Sequence, residues 1–227
     1  MFDYLSMAAF GTDFGCAARL YNINNMRFSL LSFLLVGLFF FHLANAQNQD
    51  YLKEIQEYRK EQNEEFLNPD KSPLTAKERK EFKGHDFFAI DEAYRVKARF
   101  EPTPDSKPFP LNTSKGTSRL YKRIGILHFE IKGEPYTLEA YLQIQRFTIP
   151  GQKVYVFLPL VDATTGESTY GAGRYLHYEG IPEGTDWIID FNKLYNPYCA
   201  YSDKYECPMV PEPNHLPIAV EAGVKGY

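Results

Sequence analysis

Two cysteines in the C-terminal third are the residues of this chain best suited to chemistry. Cys199 follows an Asn-Pro-Tyr sequence and Cys207 precedes a proline, within a segment rich in proline and tyrosine. In an exported protein, a pair of cysteines in such a segment is typical of a disulfide, which we predict here. Free thiols and redox catalysis stay open as alternatives. A zinc site is a further alternative, because Cys199, Cys207 and His215 are spaced eight apart and zinc binds both residue types. A fourth zinc ligand is not evident, so we predict no metal site.

A second candidate site begins at Asp162, which opens the sequence Asp-Ala-Thr-Thr-Gly. That sequence alone is typical of a turn. Arg174, twelve positions later, could bind a carboxylate or phosphate through its planar guanidinium. A buried ion pair of Arg174 with Asp162 or Asp190 is the structural alternative. We predict that the following residues bind a ligand: Asp162, Thr164, Thr169, Tyr170, Arg174, Tyr175, Asn192, Asn196 and Tyr201.

The strand predicted for residues 170–178 would place these side chains on two faces. Tyr170 and Arg174 would share one face, and Thr169 and Tyr175 the other, because side chains alternate along a strand. Glycines on the Tyr175 face would leave open space above the sheet, which suits a ligand.

Several familiar catalytic motifs are absent from the sequence. It contains no Gly-x-Ser-x-Gly, His-Glu-x-x-His or phosphate-binding loop, and no complete dinucleotide fingerprint. We therefore predict no cofactor. If the protein is an enzyme, Asp162 or Glu221 is the candidate acid/base and Arg174 the anion-binding group.

The N-terminal sequence has the layout of a secretory signal peptide. Arg27 precedes the apolar run Phe28–Leu43, and an Ala-Asn-Ala sequence closes it. We predict a signal peptide over residues 26–46 and an exported, periplasmic or extracellular protein; an uncleaved membrane anchor is the alternative. Residues 1–25 are predicted to be a mis-called extension.

Composition limits the remaining classes. The formal net charge of −4 gives no electrostatic reason to expect nucleic acid or an anionic membrane surface as partner. Aromatic residues make up 16% of the chain, with 17 Tyr and 18 Phe, which favours strands over helices.

Hydrophobic periodicity predicts helices first and strands afterwards. Residues 47–92 are predicted to form a helical segment with two helices, at about 51–66 and 72–82. Residues 93–227 alternate apolar and polar side chains, with a hairpin over 127–144, and no helix is predicted between the strands. The prediction is a mainly β fold: an antiparallel sandwich or partly closed barrel of about seven to eight strands. It would form one compact domain with the helical segment.

The spacing of special residues over about 73–223 resembles a bacterial family called domain of unknown function 1684. These residues carry the resemblance: Phe157, Pro159, Asp162, Thr164, Gly166, Thr169, Tyr170, Gly173, Arg174, Tyr175, Asp190, Phe191, Asn192, Asn196, Pro197, Cys199, Ala200, Tyr201, Cys207, Pro208, Asn214, Leu216, Pro217, Ala222 and Gly223. The resemblance implies no catalytic role for any of them.

Taken together, the sequence predicts a cell-envelope protein that binds a small anionic ligand or a peptide in a polar-aromatic pocket. A hydrolase- or transferase-like enzyme and a structural envelope protein are the alternatives.

Overall fold

The computed structural model describes residues 48–144 and 153–226. The chain divides into two compact units, Met1–Lys53 and Glu54–Tyr227. In the first unit, the described residues 48–53 are helical, and the predicted signal peptide at 26–46 lies outside the described residues. Across the part of the chain that is described, no helix is both long and apolar enough to cross a membrane.

Seven strands form the main structure of the described part of the second unit, and all pair antiparallel in one sheet. They are β1 (Arg95–Pro102), β2 (Phe109–Asn112), β3 (Ser118–Ile131), β4 (Glu134–Gln143), β5 (Tyr155–Leu160), β6 (Arg174–Glu179) and β7 (Asp186–Asp190). The order across the sheet is β6-β5-β4-β3-β1-β7, with β2 beside β3. The prediction of a mainly β, antiparallel fold is confirmed.

The β3–β4 hairpin is the centre of this sheet. Its strands pair from Tyr121 opposite Gln143 to Ile131 opposite Glu134. The two residues between them, Lys132 and Gly133, have φ of 54° and 82°. Positive φ at both positions suits a tight hairpin turn, because its twist matches that of the strands.

The sheet curls into a half-barrel, so the described strands do not form the two packed sheets of a sandwich. The strands at the two ends of the sheet order, β6 and β7, are joined by a side-chain hydrogen bond. The hydroxyl of Tyr178 on β6 donates to the carbonyl of Ile188 on β7 at 2.8 Å. The same tyrosine ring lies 5.5 Å from the ring of Trp187. A side chain thus bridges two edges that backbone pairing leaves open.

Both faces of the sheet carry buried apolar residues. The larger cluster follows the predicted alternation, with Val96, Ala98 and Phe100 of β1 packed among residues such as Leu127 and Leu158. A second cluster lies on the other face: Leu111, Tyr121, Tyr141, Phe157, Tyr175 and Cys207. A strand buried on both faces loses the simple alternation of apolar and polar residues, as the burial of β5 shows.

In the second unit, the described α-helices before the sheet are α1, residues 54–67, and α2, Ala76–Glu81. The second has only six residues, so one of the two predicted helices is a short turn of helix. Thr75 and Glu78 explain where α2 begins: each side chain accepts a hydrogen bond from the backbone N–H of the other.

Candidate functional site

Arg174, the predicted anion-binding residue, is fully buried at the start of β6. Its Nη2 donates to Oδ2 of Asp162 at 2.8 Å and to the carbonyl of Val220 at 2.8 Å. Nη1 donates to the carbonyls of Ala222, at 2.5 Å, and Val224, at 3.0 Å. Burial lowers the pKa of Arg174, and the Asp162 carboxylate opposes this shift. The protein's own groups therefore occupy both terminal nitrogens, while Nε has no hydrogen-bond partner among the described residues. These contacts match the structural alternative of a buried ion pair, and the anion-binding role of Arg174 stays a prediction.

Asp162 is equally enclosed. Its Oδ1 accepts from the backbone N–H of Thr164 at 2.8 Å, from the Thr164 hydroxyl at 2.6 Å and from the N–H of Val220 at 3.2 Å. The hydroxyls of Thr164 and Thr169 lie 3.0 Å apart. All of these side chains are buried and satisfy one another. This geometry supports the structural alternative, a buried ion pair, and leaves Asp162 without access to a substrate.

The hydrogen bonds around Arg174 and Asp162 hold the C-terminal segment 220–226 in place. This segment contains no named strand, so its backbone groups need other partners. Arg174 binds three of its carbonyls, and Asn196 donates to a fourth, that of Lys225, at 3.0 Å. The N–H of Gly226 donates to the carbonyl of Ser168 at 2.8 Å. We call Asp162, Thr164, Thr169 and Arg174 the buried network.

The strand predicted for residues 170–178 begins only at Arg174. The predicted pairing of Tyr170 with Arg174 on one face, and of Thr169 with Tyr175 on the other, is therefore wrong. Gly173, just before the strand, has φ of +89°. A Cβ on it would lie 2.6 Å from the carbonyl oxygen of Leu160. The glycine allows close backbone approach instead of opening space for a ligand.

The remaining predicted residues are dispersed. Asn192 is fully buried and donates to the carbonyl of Asp91 at 2.8 Å, so it joins two segments of backbone. Tyr201 is buried, and its hydroxyl lies 3.2 Å from both Nδ2 of Asn196 and Nδ1 of His85. Glu221, the other acid/base candidate, is exposed. The predicted catalytic pair of a carboxylate and Arg174 in a cleft does not form.

A large cleft lies instead against the second face of the sheet, with a volume of about 1140 Å³. Its walls come from α1, from β3, β5 and β6, and from the segment 195–208. Ten of the residues that line it in the described chain are tyrosine or phenylalanine: Tyr58, Phe66, Tyr121, Tyr155, Phe157, Tyr175, Tyr178, Tyr195, Tyr198 and Tyr205. Of the nine predicted ligand-binding residues, Tyr175 and Asn196 line this cleft.

The aromatic rings of the cleft form a connected ladder around Phe157. Its ring centroid lies 4.8 Å from that of Tyr175, nearly perpendicular, and 5.1 Å from that of His177, stacked at 28°. His177 in turn stacks on Tyr195 at 5.8 Å, and the Tyr195 hydroxyl is hydrogen-bonded to its Nδ1. The Tyr175 hydroxyl donates to the carbonyl of Pro208. These contacts hold the rings of the cleft wall against one another.

The polar groups of the cleft are neutral or balanced in charge. Burial raises the pKa of Tyr58, Tyr175, Tyr178, Tyr195 and Tyr198, which keeps their phenols protonated at neutral pH. The charged side chains of the wall in the described chain are four basic and four acidic: Arg95, Arg119, Lys193, Lys204, Glu54, Glu65, Asp190 and Glu206.

Two of these basic groups are paired with acids of the same wall. Lys193 lies 2.5 Å from Glu54, and Arg119 lies 3.7 Å from Glu206. The wall therefore presents no excess of either sign.

Residues such as His177 and Tyr195 were missed as site residues by sequence reasoning. The signal that could have indicated them is an aromatic ring at every second position, at Tyr155 and Phe157 of β5 and at Tyr175 and His177 of β6. Tyr155 and Phe157 occupy positions that a half-buried strand would give to exposed polar residues.

Cys199 and Cys207 are free thiols, so the predicted disulfide is absent from this structure. They are nevertheless neighbours, since the backbone N–H of Cys199 donates to Sγ of Cys207 at 3.3 Å. Within the described ranges, no group of three or more His, Cys, Asp or Glu side chains could hold a metal ion. His215 is exposed and its backbone pairs with Val161, so it contributes to the fold of another region.

Comparison with known proteins agrees with this description. No curated protein matches the chain. A solution NMR structure of an uncharacterized protein from gene locus rrnAC0354 of Haloarcula marismortui is 32% identical to it, with a TM-score of 0.60. The match covers 79% of this chain and 96% of that one. Residues 80–225, which include all seven strands, match the family described as protein of unknown function, DUF1684. The chain belongs to the DUF1684 family.

Proposed function

We propose that this protein is a binding module whose cleft holds an extended amphipathic ligand, such as a short peptide segment. The observation that carries the proposal is the cleft of about 1140 Å³ with its ladder of aromatic rings. Sites for single small molecules usually have volumes of about 300–1,000 Å³, so this one has room for a longer ligand. Tyrosines offer a ligand both an apolar ring and a polar hydroxyl at little conformational cost.

The balanced charge of the wall changes the chemistry that was expected of the ligand. The anionic character predicted from the sequence depended on Arg174, which is buried and paired with Asp162. With four basic and four acidic side chains in the wall, an uncharged or zwitterionic ligand fits better than an anion. A peptide has both features, together with backbone groups that can bind the phenols.

The enzyme alternative has lost the residues on which it depended. Asp162 and Arg174 bind each other in the interior, and Glu221 is exposed on the C-terminal segment. The cleft is lined by aromatic rings and by paired charges, which favour binding over acid/base chemistry.

Selection of binders from a random peptide display library against the full chain tests the proposal. Peptides that bind wild type would then be measured by fluorescence anisotropy against His177→Ala and, as the control, His128→Ala. His177 lies in the ring ladder, whereas His128 lies on β3, paired with Glu101. Loss of one aromatic contact should weaken binding by about 0.5–1.5 kcal/mol, roughly two- to tenfold in Kd. Equal affinity of the two variants, or no selected binder, would contradict the proposal.

We also propose that the protein is exported after removal of residues 26–46. The support is the basic, apolar and small-residue layout of that segment. N-terminal sequencing of protein recovered from outside the cytoplasm should find Gln47 first. An intact residue 26 on membrane-bound material would instead favour the uncleaved anchor.

A further inference from the structure

Cys199 and Cys207 form a cluster with two hydroxyl groups, away from the buried network. The Cys207 side chain and the hydroxyls of Tyr170 and Ser114 lie near enough to Cys199 to lower the pKa of its thiol. The backbone N–H of Cys199 reaches Sγ of Cys207 at 3.3 Å. Such convergence of donors on one sulfur is the arrangement that stabilises a thiolate.

The two cysteines differ in how they are held. Cys207 is buried beside β2: its N–H donates to the Ser114 hydroxyl at 3.2 Å, and its carbonyl accepts from the Ser114 N–H at 2.9 Å. Cys199 is partly exposed, in the single turn Tyr198–Ala200. Cys199 is thus the more exposed of the two cysteines, and Cys207 is the more buried.

The loop between the cysteines is secured without a covalent bond. On the Cys199 side, the Tyr201 ring packs 4.7 Å from Phe66. On the Cys207 side, the N–H of Met209 donates to the carbonyl of Asn112 at 2.8 Å. A disulfide is therefore not required to define the fold here, and the dithiol form is compatible with it.

The neighbouring side chains make the two thiols chemically unequal. They lower the pKa of Cys199 to about 7, the contact from Cys207 being the largest cause. The same contact, followed by burial, raises the pKa of Cys207. At neutral pH, Cys199 is therefore substantially a thiolate, whereas Cys207 keeps its proton.

We propose that Cys199 and Cys207 are a reversible dithiol–disulfide pair, with Cys199 as the nucleophile toward small disulfides and Cys207 as the resolving thiol. In the first step the Cys199 thiolate attacks a disulfide RSSR, forming a mixed disulfide and releasing RS⁻. In the second, the Cys207 sulfur attacks Sγ of Cys199 and its proton passes to the departing thiolate, giving RSH. The two cysteines are oxidised to one disulfide, and RSSR is reduced to two thiols.

Glutathione disulfide is the probe for the test, with the full chain carrying Cys16→Ser so that the third cysteine cannot take part. Reduced protein is freed of reductant and incubated with the probe at neutral pH. Peptide mapping under non-reducing conditions should then find Cys199 joined to Cys207. If both thiols stay reduced in excess probe, the proposal is overturned.

Matched variants separate the two roles. Cys207→Ser should accumulate one glutathione on Cys199, because the resolving thiol is missing. Cys199→Ser should form an adduct at least about tenfold more slowly, because Cys207 is buried and protonated. Similar rates for the two variants would overturn the assignment of roles. Should Cys207→Ser unfold, Cys207→Ala serves in its place, and the mapping of the Cys16→Ser protein needs neither variant.

Tyr170→Phe tests the cluster itself, because it removes one donor to the Cys199 sulfur and leaves both cysteines intact. The rate of adduct formation in the Cys207→Ser background should fall about two- to threefold. The variant has less thiolate at neutral pH, but each thiolate is a slightly better nucleophile, which offsets part of the loss. An unchanged rate would show that the Tyr170 hydroxyl does not stabilise the thiolate.

Discussion

Removal of the Arg174 guanidinium should greatly lower the free energy of unfolding of the protein. In Arg174→Met the apolar stem is kept while five hydrogen bonds are lost, to Asp162, Thr164, Val220, Ala222 and Val224. Breaking a buried ion pair by removing one partner costs about 3–5 kcal/mol, because the other charge is left uncompensated. Each carbonyl left unpaired adds about 1–3 kcal/mol unless water reaches it. The expected loss is therefore at least about 3 kcal/mol, or a fall in Tm of roughly 6–20 °C for a unit of this size.

The single tryptophan makes the measurement direct. Trp187 stacks on Phe100 at 4.2 Å in the main core, so its fluorescence should report global unfolding in urea. Arg99→Met is the control, since Arg99 is exposed and lies 3.5 Å from exposed Glu101; its change should stay within about 0.5 kcal/mol.

A second substitution identifies the stranded charge as the cause. Adding Asp162→Asn to Arg174→Met should recover at least about 1 kcal/mol, because a neutral amide is less costly to bury than an unpaired carboxylate. If Arg174→Met loses no more stability than the control, the interior network is not what holds the C-terminal segment. If the double variant recovers nothing, the loss does not come from the buried charge.

Two further predictions concern stability. His85 lies among Phe66, Phe82 and Tyr201, and burial lowers its pKa from 6.5 to about 4. The stability that the neutral His85 ring contributes is fully present above pH 6.5 and is lost as pH falls toward 4. Urea unfolding at pH 5 should therefore give a free energy of unfolding about 1–2 kcal/mol lower than at pH 7, allowing for partial exposure. His85→Phe should reduce the dependence of the free energy of unfolding on pH, whereas the control His215→Gln, at an exposed site, should not. An unchanged pH dependence in His85→Phe would exclude this histidine as its origin. Gly173→Ala should lose more than about 1 kcal/mol because of its positive φ and the nearby Leu160 carbonyl, whereas Gly171→Ala, with no atom closer than 3.9 Å to its Cβ position, should be close to neutral. Equal effects of the two alanines would mean that backbone conformation at residue 173 is unimportant.

The hairpin was predictable because its signals are local. Alternating residues on both sides of Lys132 and Gly133 define a strand period and a turn within about twenty positions. The beginning of β6 was not predictable in the same way. Residues 169–173 have the composition of a strand, but tertiary contacts of Gly173 with Leu160 and of Thr169 with Thr164 fix them in a turn before it. Long-range contacts overrode the local pattern.

The candidate site shows the same limit more sharply. The sequence placed Arg174 and Asp162 together, with an interior ion pair among the alternatives, and they do pair. It could not decide between a ligand and the protein's own backbone, because a guanidinium binds a carboxylate or carbonyls by the same hydrogen bonds. Only the path of the segment 220–226 decides, and that path has no periodicity from which to predict it.

The polar residues of the interior follow from the shape of the sheet. A half-barrel leaves edges and ends that irregular segments must cover, and those segments bring backbone groups into the core. Asn214 illustrates the solution, since its side chain donates to the carbonyls of Glu139 and Pro159 and accepts from the Glu139 N–H. Arg174 does the same for the C-terminal segment.

The proposed ligand would then be recognised by groups outside the buried network. Those groups are the rings of the cleft, such as His177, whose imidazole is exposed while Tyr195 holds its Nδ1. This division predicts two separable classes of variant. Changes in the buried network should alter stability and, in the molecules that remain folded, leave binding intact. Changes at exposed rings of the cleft should alter binding with little effect on Tm. A variant of His177 that lost stability as severely as Arg174→Met would contradict the division, because the His177 ring would then be part of the core rather than a surface for a ligand.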